Sequence, residues 1–175
     1  MRIFAVSGFS KTGKTTVTEA LIRSISGRGL LVATIKDSGC KDIAMENTGS
    51  DTGRQRAAGA SAAVLRTPEV TSFVYGRQLT LCEILPCLNF DVVILEGFKK
   101  LDIPKIVTAS SIEEAASLCT SQTFALSGKA AECLGHLEDI PLLNCFTEAD
   151  KLTELALRRA WEDVGLVLEK AEGSY

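Results

Sequence analysis

Near the start of the chain lies a glycine-rich segment with the residue types and spacing of a phosphate-binding loop. Residues 8–15 read Gly-Phe-Ser-Lys-Thr-Gly-Lys-Thr and match G-x-x-x-x-G-K-[ST] at every fixed position. In such a loop the glycines let the backbone bend, so that successive N–H groups face phosphate oxygens. The helix that follows adds the positive end of its dipole. The pattern therefore predicts a nucleotide-binding site.

The side chains that close this loop predict how a nucleoside triphosphate would be held. Lys14 is expected to reach the β- and γ-phosphates, and the Thr15 hydroxyl is expected to bind Mg²⁺. Thr16 is placed to donate to the α-phosphate. Lys11 either lies near phosphate or is an ordinary exposed loop residue.

A carboxylate at the end of a buried strand would complete such a site. Residues 91–97 read Asp-Val-Val-Ile-Leu-Glu-Gly, a short apolar strand with an acid at each end. Ligands of open α/β sheets bind at the carboxyl ends of the strands, which favours Glu96 over Asp91. We therefore expect Glu96 to bind Mg²⁺, directly or through water, or to orient an attacking water.

The elements that must position these residues alternate between strand and helix. Residues 2–7 and 30–35 are short apolar runs typical of buried strands, and residues 14–27 between them have apolar positions at helical spacing. Such a βαβ unit predicts two parallel strands. We expect an α/β fold with a mostly parallel sheet and flanking helices in three layers, as in P-loop NTPases.

The remaining elements extend the sheet and add a small β-hairpin insertion. The hairpin is expected at 62–66 and 70–75, after a helix that Ser50 or Asp51 caps. We expect one nucleotide-binding domain over 1–170, with a frayed tail at 171–175. The other predicted elements are a helix at 78–88, strands at 91–95, 104–108, 122–126 and 140–143, a helix capped by Ser110 or Ser111, and a final helix capped by Thr147.

The composition limits the possible partners. The chain has 175 residues, of which 46% are hydrophobic and 23% charged, and this excludes intrinsic disorder. Its 19 basic and 22 acidic residues give a net charge of −3, which does not suit nucleic-acid binding. Since there is no apolar run of the ~18–20 residues that span a bilayer, and no signal-peptide pattern, we expect a cytoplasmic protein without membrane partners.

Metal-binding sequence patterns are absent from the cysteines and the histidine. The six cysteines form no Cys-x-x-Cys pair, and His136 is the one histidine of the chain. Structural zinc sites usually show closely spaced ligand pairs. We therefore expect reduced thiols that act as small apolar residues.

Four segments together resemble the B protein family of molybdopterin-guanine dinucleotide biosynthesis. The loop alone is unspecific, whereas the Glu-Gly-Phe-Lys and Asp…Arg-x-x-Gly-Ala segments are much more specific. The resemblance covers about residues 1–108. The four segments on which it rests are the loop at 8–16, Thr34-Ile35-Lys36, Gly49-Ser50-Asp51-Thr52 with Arg56-Ala57-Ala58-Gly59-Ala60, and Leu95-Glu96-Gly97-Phe98-Lys99 with Pro104-Lys105-Ile106.

The resemblance implies a GTP-binding protein of the SIMIBI class of P-loop NTPases. Members are usually homodimers with weak GTPase activity that assist the A protein, the molybdopterin guanylyltransferase that joins GMP to molybdopterin. It also implies that Lys36 lies near the site, that Asp51 approaches Mg²⁺ or the γ-phosphate, and that Lys99 lies beside an anionic ligand. The chain has no Asn-Lys-x-Asp motif, so the preference for guanine rests on the resemblance, with Leu126–Lys129 in a plausible position beside the base.

Three other functions remain open. The chain could be an ATP-dependent small-molecule kinase, or a nucleotide-gated interaction module whose hairpin pairs between subunits through Phe73 and Tyr75. It could also be a metal-insertion GTPase, although the lack of histidine clusters and Cys-x-x-Cys pairs speaks against this. Arg54 or Arg56 could supply a catalytic arginine in cis or across a dimer. The candidate catalytic residues are Lys14, Glu96 and Asp51, the candidate metal ligands are Thr15, Glu96 and Asp51, and the candidate nucleotide contacts are Gly8, Ser10, Lys11, Thr12, Gly13, Lys14, Thr15, Thr16 and Lys36.

Overall fold

A computed structural model describes residues 1–39, 49–129, 137 and 139–172. The chain divides into two compact units, which are residues 1–38 with 85–175 and residues 39–84. The helices are α1 Lys14–Gly27, α2 Asp51–Ala57, α3 Leu81–Ile84, α4 Ile112–Leu118, α5 Ala149–Arg159 and α6 Val164–Glu172. The strands are β1 Arg2–Gly8, β2 Val32–Lys36, β3 Ala62–Arg66, β4 Thr71–Tyr75, β5 Val92–Glu96, β6 Lys105–Thr108 and β7 Thr123–Ser127.

A parallel sheet forms the centre of the first unit, with its strands in the order β2-β5-β1-β6-β7. The strands β1 and β2 are parallel, as the βαβ pattern predicts, but β5 lies between them and pairs with both. All residues of β5, β6 and β7 are buried. Strands buried on both faces read as continuous apolar runs, which is how the sequence shows them.

Helices cover both faces of this sheet. On one face Phe4 packs in a cluster with Leu21 of α1 and Leu152 of α5. On the other face Val107 packs with Ala115 of α4. Each large apolar side chain buried in this way contributes about 1.5–3 kcal/mol. The predicted α/β fold with a mostly parallel sheet and flanking helices is confirmed.

The second unit contains the predicted hairpin. Strands β3 and β4 are antiparallel, with Val64 opposite Phe73. The short helix α2 precedes them, and the Ser50 hydroxyl accepts a hydrogen bond from the Gly53 N–H at 3.1 Å, so Ser50 is the predicted N-cap. The predicted loop at 37–50 lies largely outside the described residues.

Two predicted elements in the middle of the chain are shorter than expected. The helix predicted at 78–88 is limited to α3 and a 3₁₀ turn at Leu85–Cys87, since Pro86 cannot continue an α-helical hydrogen-bond ladder. The strand predicted at 140–143 is wrong: Leu142 makes only an isolated bridge to Leu126, and Pro141 has no N–H with which to extend a ladder. The predicted strand at 30–35 begins only at Val32.

The final helix is two helices, and Thr147 is not its cap. Glu148 occupies the N-cap position of α5 without a side-chain hydrogen bond to the helix. The helices α5 and α6 are separated at Trp161, whose backbone exchanges hydrogen bonds of 2.8 and 3.0 Å with Ile3. This pairing is possible because β6 meets β1 only from Ala5 onward. Helix α6 continues to Glu172, within the predicted frayed tail, and residues 173–175 lie outside the described part.

Candidate nucleotide-binding site

The glycine-rich loop leads from the end of β1 into α1. Gly8 is the last residue of β1, and a Cβ atom there would lie 2.2 Å from the Thr108 hydroxyl oxygen, so only glycine fits. Lys11 and Gly13 have φ angles of 64° and 99°, in the left-handed region that turns the chain back toward the helix. The backbone therefore bends where the sequence pattern requires it.

The loop is supported from beneath by the ends of β6 and β7. Thr12 is buried, and its hydroxyl donates to the Phe9 carbonyl over 2.9 Å and lies 2.7 Å from the Thr108 hydroxyl. The Lys129 N–H donates to the Thr12 carbonyl over 3.2 Å. A Cβ atom on Gly128 would lie 2.6 Å from that carbonyl. The loop is thus seated by contacts that leave no room for larger residues.

The first turn of α1 and the end of β5 meet at one carboxylate. The Thr15 hydroxyl donates to Glu96 Oε1 over 3.0 Å, and Lys36 Nζ lies 2.8 Å from the same oxygen. Lys36 ends β2 and is directly opposite Glu96 in the sheet register. Glu96 is only 5% exposed, so its charge requires the partners that it has. The sheet therefore places an acid, a hydroxyl and a lysine within hydrogen-bond distance.

Two further lysines lie around Phe9 of the loop. Lys14 Nζ donates to the Phe9 carbonyl, and Lys99 Nζ lies 4.8 Å from the centre of the Phe9 ring. Burial lowers the pKa of Lys14, and the positive charges of Lys99 and Lys36 lower it further, while Glu96 opposes them. Three ammonium groups, those of Lys14, Lys36 and Lys99, and one carboxylate lie near the loop, so the site attracts anions.

The oxygen atoms of Thr15 and Glu96 have the chemistry of a magnesium site. Hard oxygen donors, one of them a carboxylate, are what Mg²⁺ prefers, and the two atoms already lie 3.0 Å apart. Within the described residues, no group of three or more His, Cys, Asp or Glu side chains is arranged to hold a metal. A metal here would therefore need oxygens of a bound phosphate or water to complete its shell.

Comparison with known proteins decides the family. The model of the family described as molybdopterin guanine dinucleotide synthesis protein B matches residues 3–128. The chain belongs to this family. The range that matches the synthesis protein B family contains both the loop of residues 8–15 and the Glu-Gly-Phe-Lys segment of residues 96–99.

Two relatives and one solved structure show how far the similarity extends. A putative molybdopterin-guanine dinucleotide biosynthesis adapter protein of Methanocaldococcus jannaschii is 36% identical over 61% of this chain, and the chain spans about half, 47%, of that relative's length. A probable adapter protein of Bacillus subtilis is 28% identical over 81% of this chain and 84% of its own. The crystal structure of Bacillus subtilis MobB, at 27% identity, superimposes with a TM-score of 0.74 over 93% of this chain and all of that one.

The structure of this family member brings together most of the predicted site residues. Lys14, Thr15 and Lys36 interact with Glu96, and Gly8, Thr12 and Gly13 shape the loop. Lys11 and Ser10 are exposed in the loop, and Thr16 follows Thr15 in α1. The Thr12 side chain is engaged by its contacts with the Phe9 carbonyl and the Thr108 hydroxyl. Asp91 lies at the opposite end of β5, where it accepts from the Leu31 N–H over 2.8 Å.

Asp51 belongs to the second unit. It occupies the first turn of α2, and its carboxylate lies 3.7 Å from Arg54 Nη1. Its role beside Mg²⁺ or the γ-phosphate stays a prediction, as does a catalytic role of Arg54. Ser127, in the segment predicted to lie beside the base, is buried and donates to the Leu143 carbonyl over 2.7 Å. It therefore supports the end of β7.

Sequence reasoning missed the residues that seat the loop. Thr108 ends β6 and contacts Thr12, and Gly128 follows β7 with a φ of 68°. The signal for Gly128 was a glycine directly after an apolar strand. Nothing in the sequence pairs Thr108 with Thr12, which is 96 positions away. The contact depends on the strand order, which the sequence does not specify.

Proposed function

We propose that this chain binds GTP with Mg²⁺ at the loop of residues 8–15 and acts as an adapter in molybdopterin-guanine dinucleotide biosynthesis. The observation that carries the proposal is the convergence of Lys14, Thr15 and Glu96 at the end of the parallel sheet. Family membership supports the pathway, since the curated relatives carry the name of adapter proteins of that pathway. No described helix is both long and apolar enough to cross a membrane.

The loop residues would hold the phosphates. Backbone N–H groups from Ser10 to Thr16 would face the phosphate oxygens, together with the positive end of the α1 dipole. On binding, the Lys14 ammonium would give up its hydrogen bond to the Phe9 carbonyl and donate to the β- and γ-phosphates instead. This exchange favours binding, since an ammonium bound to a phosphate makes a stronger hydrogen bond than one bound to a neutral carbonyl.

Glu96 and Thr15 would hold the metal. Mg²⁺, when bound, would neutralise charge that develops on the β- and γ-phosphates. Thr15 would supply its hydroxyl oxygen as a ligand. Glu96 would either contact the metal directly or accept a hydrogen bond from a water bound to the metal. Hydrolysis by the chain alone would be slow, because neither the loop motif nor the Glu96 motif supplies an arginine to stabilise the transition-state charge. Asp51 is a further candidate ligand.

The adapter role requires a partner surface. We propose that the partner is the molybdopterin guanylyltransferase, and that two copies of this chain associate through the hairpin. Val64, Phe73 and Tyr75 lie on one face of β3 and β4 and are 53%, 64% and 45% exposed in the structure. An exposed apolar face of this kind on a soluble protein is typical of an interaction site.

Binding of the purified chain to purified guanylyltransferase tests this function. Biolayer interferometry would measure the affinity with Mg²⁺-GTP, with Mg²⁺-ATP and without nucleotide. We expect Mg²⁺-GTP to strengthen the complex at least tenfold, and the Lys14→Met variant to lose this gain. Lys151→Met, which removes an exposed lysine of α5 outside the site, should keep it. A complex with no response to nucleotide would contradict a nucleotide-dependent adapter, and absence of any complex would contradict the partner.

A further inference from the structure

One ammonium group contacts both atoms that the proposed function assigns to Mg²⁺. Lys36 Nζ lies 2.8 Å from Glu96 Oε1 and donates to the Thr15 hydroxyl oxygen over 3.5 Å. The Thr15 hydroxyl in turn donates to the same Glu96 oxygen over 3.0 Å. The three atoms form a closed triangle at the carboxyl ends of β2 and β5. Lys36 thus occupies the position of a cation between a carboxylate and a hydroxyl.

The two members of the ion pair differ in how easily they can move. The Glu96 side chain is 7% exposed and is fixed at the end of a fully buried strand. The Lys36 side chain is 57% exposed, on a flexible four-carbon stem. A buried carboxylate needs a positive partner, whereas an exposed lysine can exchange one anion for another at little cost. The ammonium is therefore the displaceable member.

The charges nearby determine when Lys36 leaves. Lys14 lies close enough to both Lys36 and Lys99 for their positive charges to repel it. Adding Mg²⁺ to Glu96 while Lys36 remains there would place two cations on one carboxylate oxygen, and they repel. A bound triphosphate removes this obstacle, because its oxygens can accept the Lys36 ammonium and share the metal.

We propose that Lys36 is an internal counter-ion that competes with Mg²⁺ for Glu96 and Thr15, so that the metal binds tightly only together with an anionic nucleotide. The proposal rests on the proposed function for the identity of the metal and the nucleotide. It makes Lys36 a positioning residue that couples the two binding events. Metal and nucleotide then strengthen each other's binding by the same factor.

Manganese binding, measured by electron paramagnetic resonance on the full chain, tests this proposal without any nucleotide. Mn²⁺ is the probe because it has the ligand preferences of Mg²⁺ and a resolved signal when free. We expect Lys36→Met to raise the affinity for Mn²⁺ at least tenfold. Lys36→Arg, which keeps the charge, should stay within about threefold of wild type. Lys151→Met, which removes an exposed lysine of α5, should also match wild type.

A second arm measures the coupling. With a non-hydrolysable GTP analogue, wild type should bind Mn²⁺ at least tenfold more tightly than without it, and Lys36→Met should show a smaller gain. If Lys36→Met does not fold, Lys36→Gln tests the same point, because its amide can still donate to Glu96. Unchanged or weaker nucleotide-free Mn²⁺ binding in the neutral variants would overturn the proposal. If the analogue binds to no variant, the proposed function fails, while the nucleotide-free comparison still decides the role of Lys36.

Discussion

The Thr15 hydroxyl donates to Glu96 over 3.0 Å, although the two residues are 81 positions apart in the sequence. Thr15 lies in the first turn of α1, and Glu96 ends β5, which pairs with β1 so that Val6 is opposite Glu96. The register of two parallel strands therefore brings the loop and the acid together. This relationship makes Glu96 the residue whose replacement separates metal binding from phosphate binding.

Replacing Glu96 should weaken Mg²⁺ binding and leave the fold intact. Glu96→Gln keeps the shape and can still accept from Thr15, but it removes the charge that attracts Mg²⁺. We expect the Mg²⁺ concentration for half-maximal GTP binding to rise about tenfold, which corresponds to ~1.4 kcal/mol. Asp91→Asn, at the other end of the same strand, should not change it. Fluorescence titration of a labelled GTP analogue would measure both, and an equal effect of the two variants would contradict the assignment.

Gly128 should be essential for the loop, although it lies outside the glycine-rich motif. Its φ of 68° disfavours other residues, and a Cβ would meet the Thr12 carbonyl at 2.6 Å. We expect Gly128→Ala to lower the free energy of unfolding by about 1–3 kcal/mol and to weaken nucleotide binding. Gly27→Ala is the matched control, because nothing lies within 4 Å of a Cβ there. Urea unfolding at pH 7 measures both, and a harmless Gly128→Ala would refute the close seating.

The buried lysine of β6 predicts a pH dependence of stability. Lys105 is 1% exposed and donates to the Leu101 carbonyl over 2.8 Å. Burial lowers the pKa of Lys105 below its ordinary value of 10.5, and the attraction of Asp102 and Cys119 opposes this. The unfolded chain therefore keeps this proton to higher pH than the folded chain, so the Lys105 contribution to stability rises with pH between the lowered pKa and 10.5.

Lys105→Met should remove this contribution. As the pH rises toward 10.5, the difference in free energy of unfolding between wild type and the variant should shift in favour of wild type, by at most ~1.4 kcal/mol per pH unit for one proton. Urea unfolding across this range provides the measurement. Lys151→Met, an exposed lysine of α5, should follow wild type. Parallel curves for wild type and Lys105→Met would show that burial does not shift the Lys105 pKa.

The exposed apolar face of the hairpin predicts self-association. The Phe73 side chain is 64% exposed and lies opposite Val64 in the hairpin. A second copy of the chain could bury this apolar surface. We expect wild type to sediment as a dimer, and Phe73→Asp to shift it toward monomer, with Glu69→Lys, in the exposed turn between β3 and β4, serving as a charge control. Analytical ultracentrifugation distinguishes the species. A monomeric wild type would rule out the homodimer.

Sequence patterns predicted the local elements of this fold better than their long-range arrangement. The loop, α1, the hairpin and the Ser50 and Ser111 caps follow from nearest neighbours, and the structure contains them. The place of β5 between β1 and β2 follows from packing across the whole sheet. The break at Trp161 depends on an edge position at Ile3 that β6 leaves open. Glu96 was predictable because its position at the end of a strand is visible in the local sequence. Its ion pair with Lys36 was not predictable, because it depends on β2 lying next to β5 in the sheet.

Calorimetric titration of the purified chain with GTP and with ATP, each with Mg²⁺, tests the central claim most directly. The proposed function predicts that GTP binds at least tenfold more tightly, a difference of ~1.4 kcal/mol, and that Lys14→Met loses both affinities. Tighter binding of ATP would contradict the account and favour an ATP-dependent kinase. Binding of neither nucleotide would show that the loop of residues 8–15 does not hold a triphosphate.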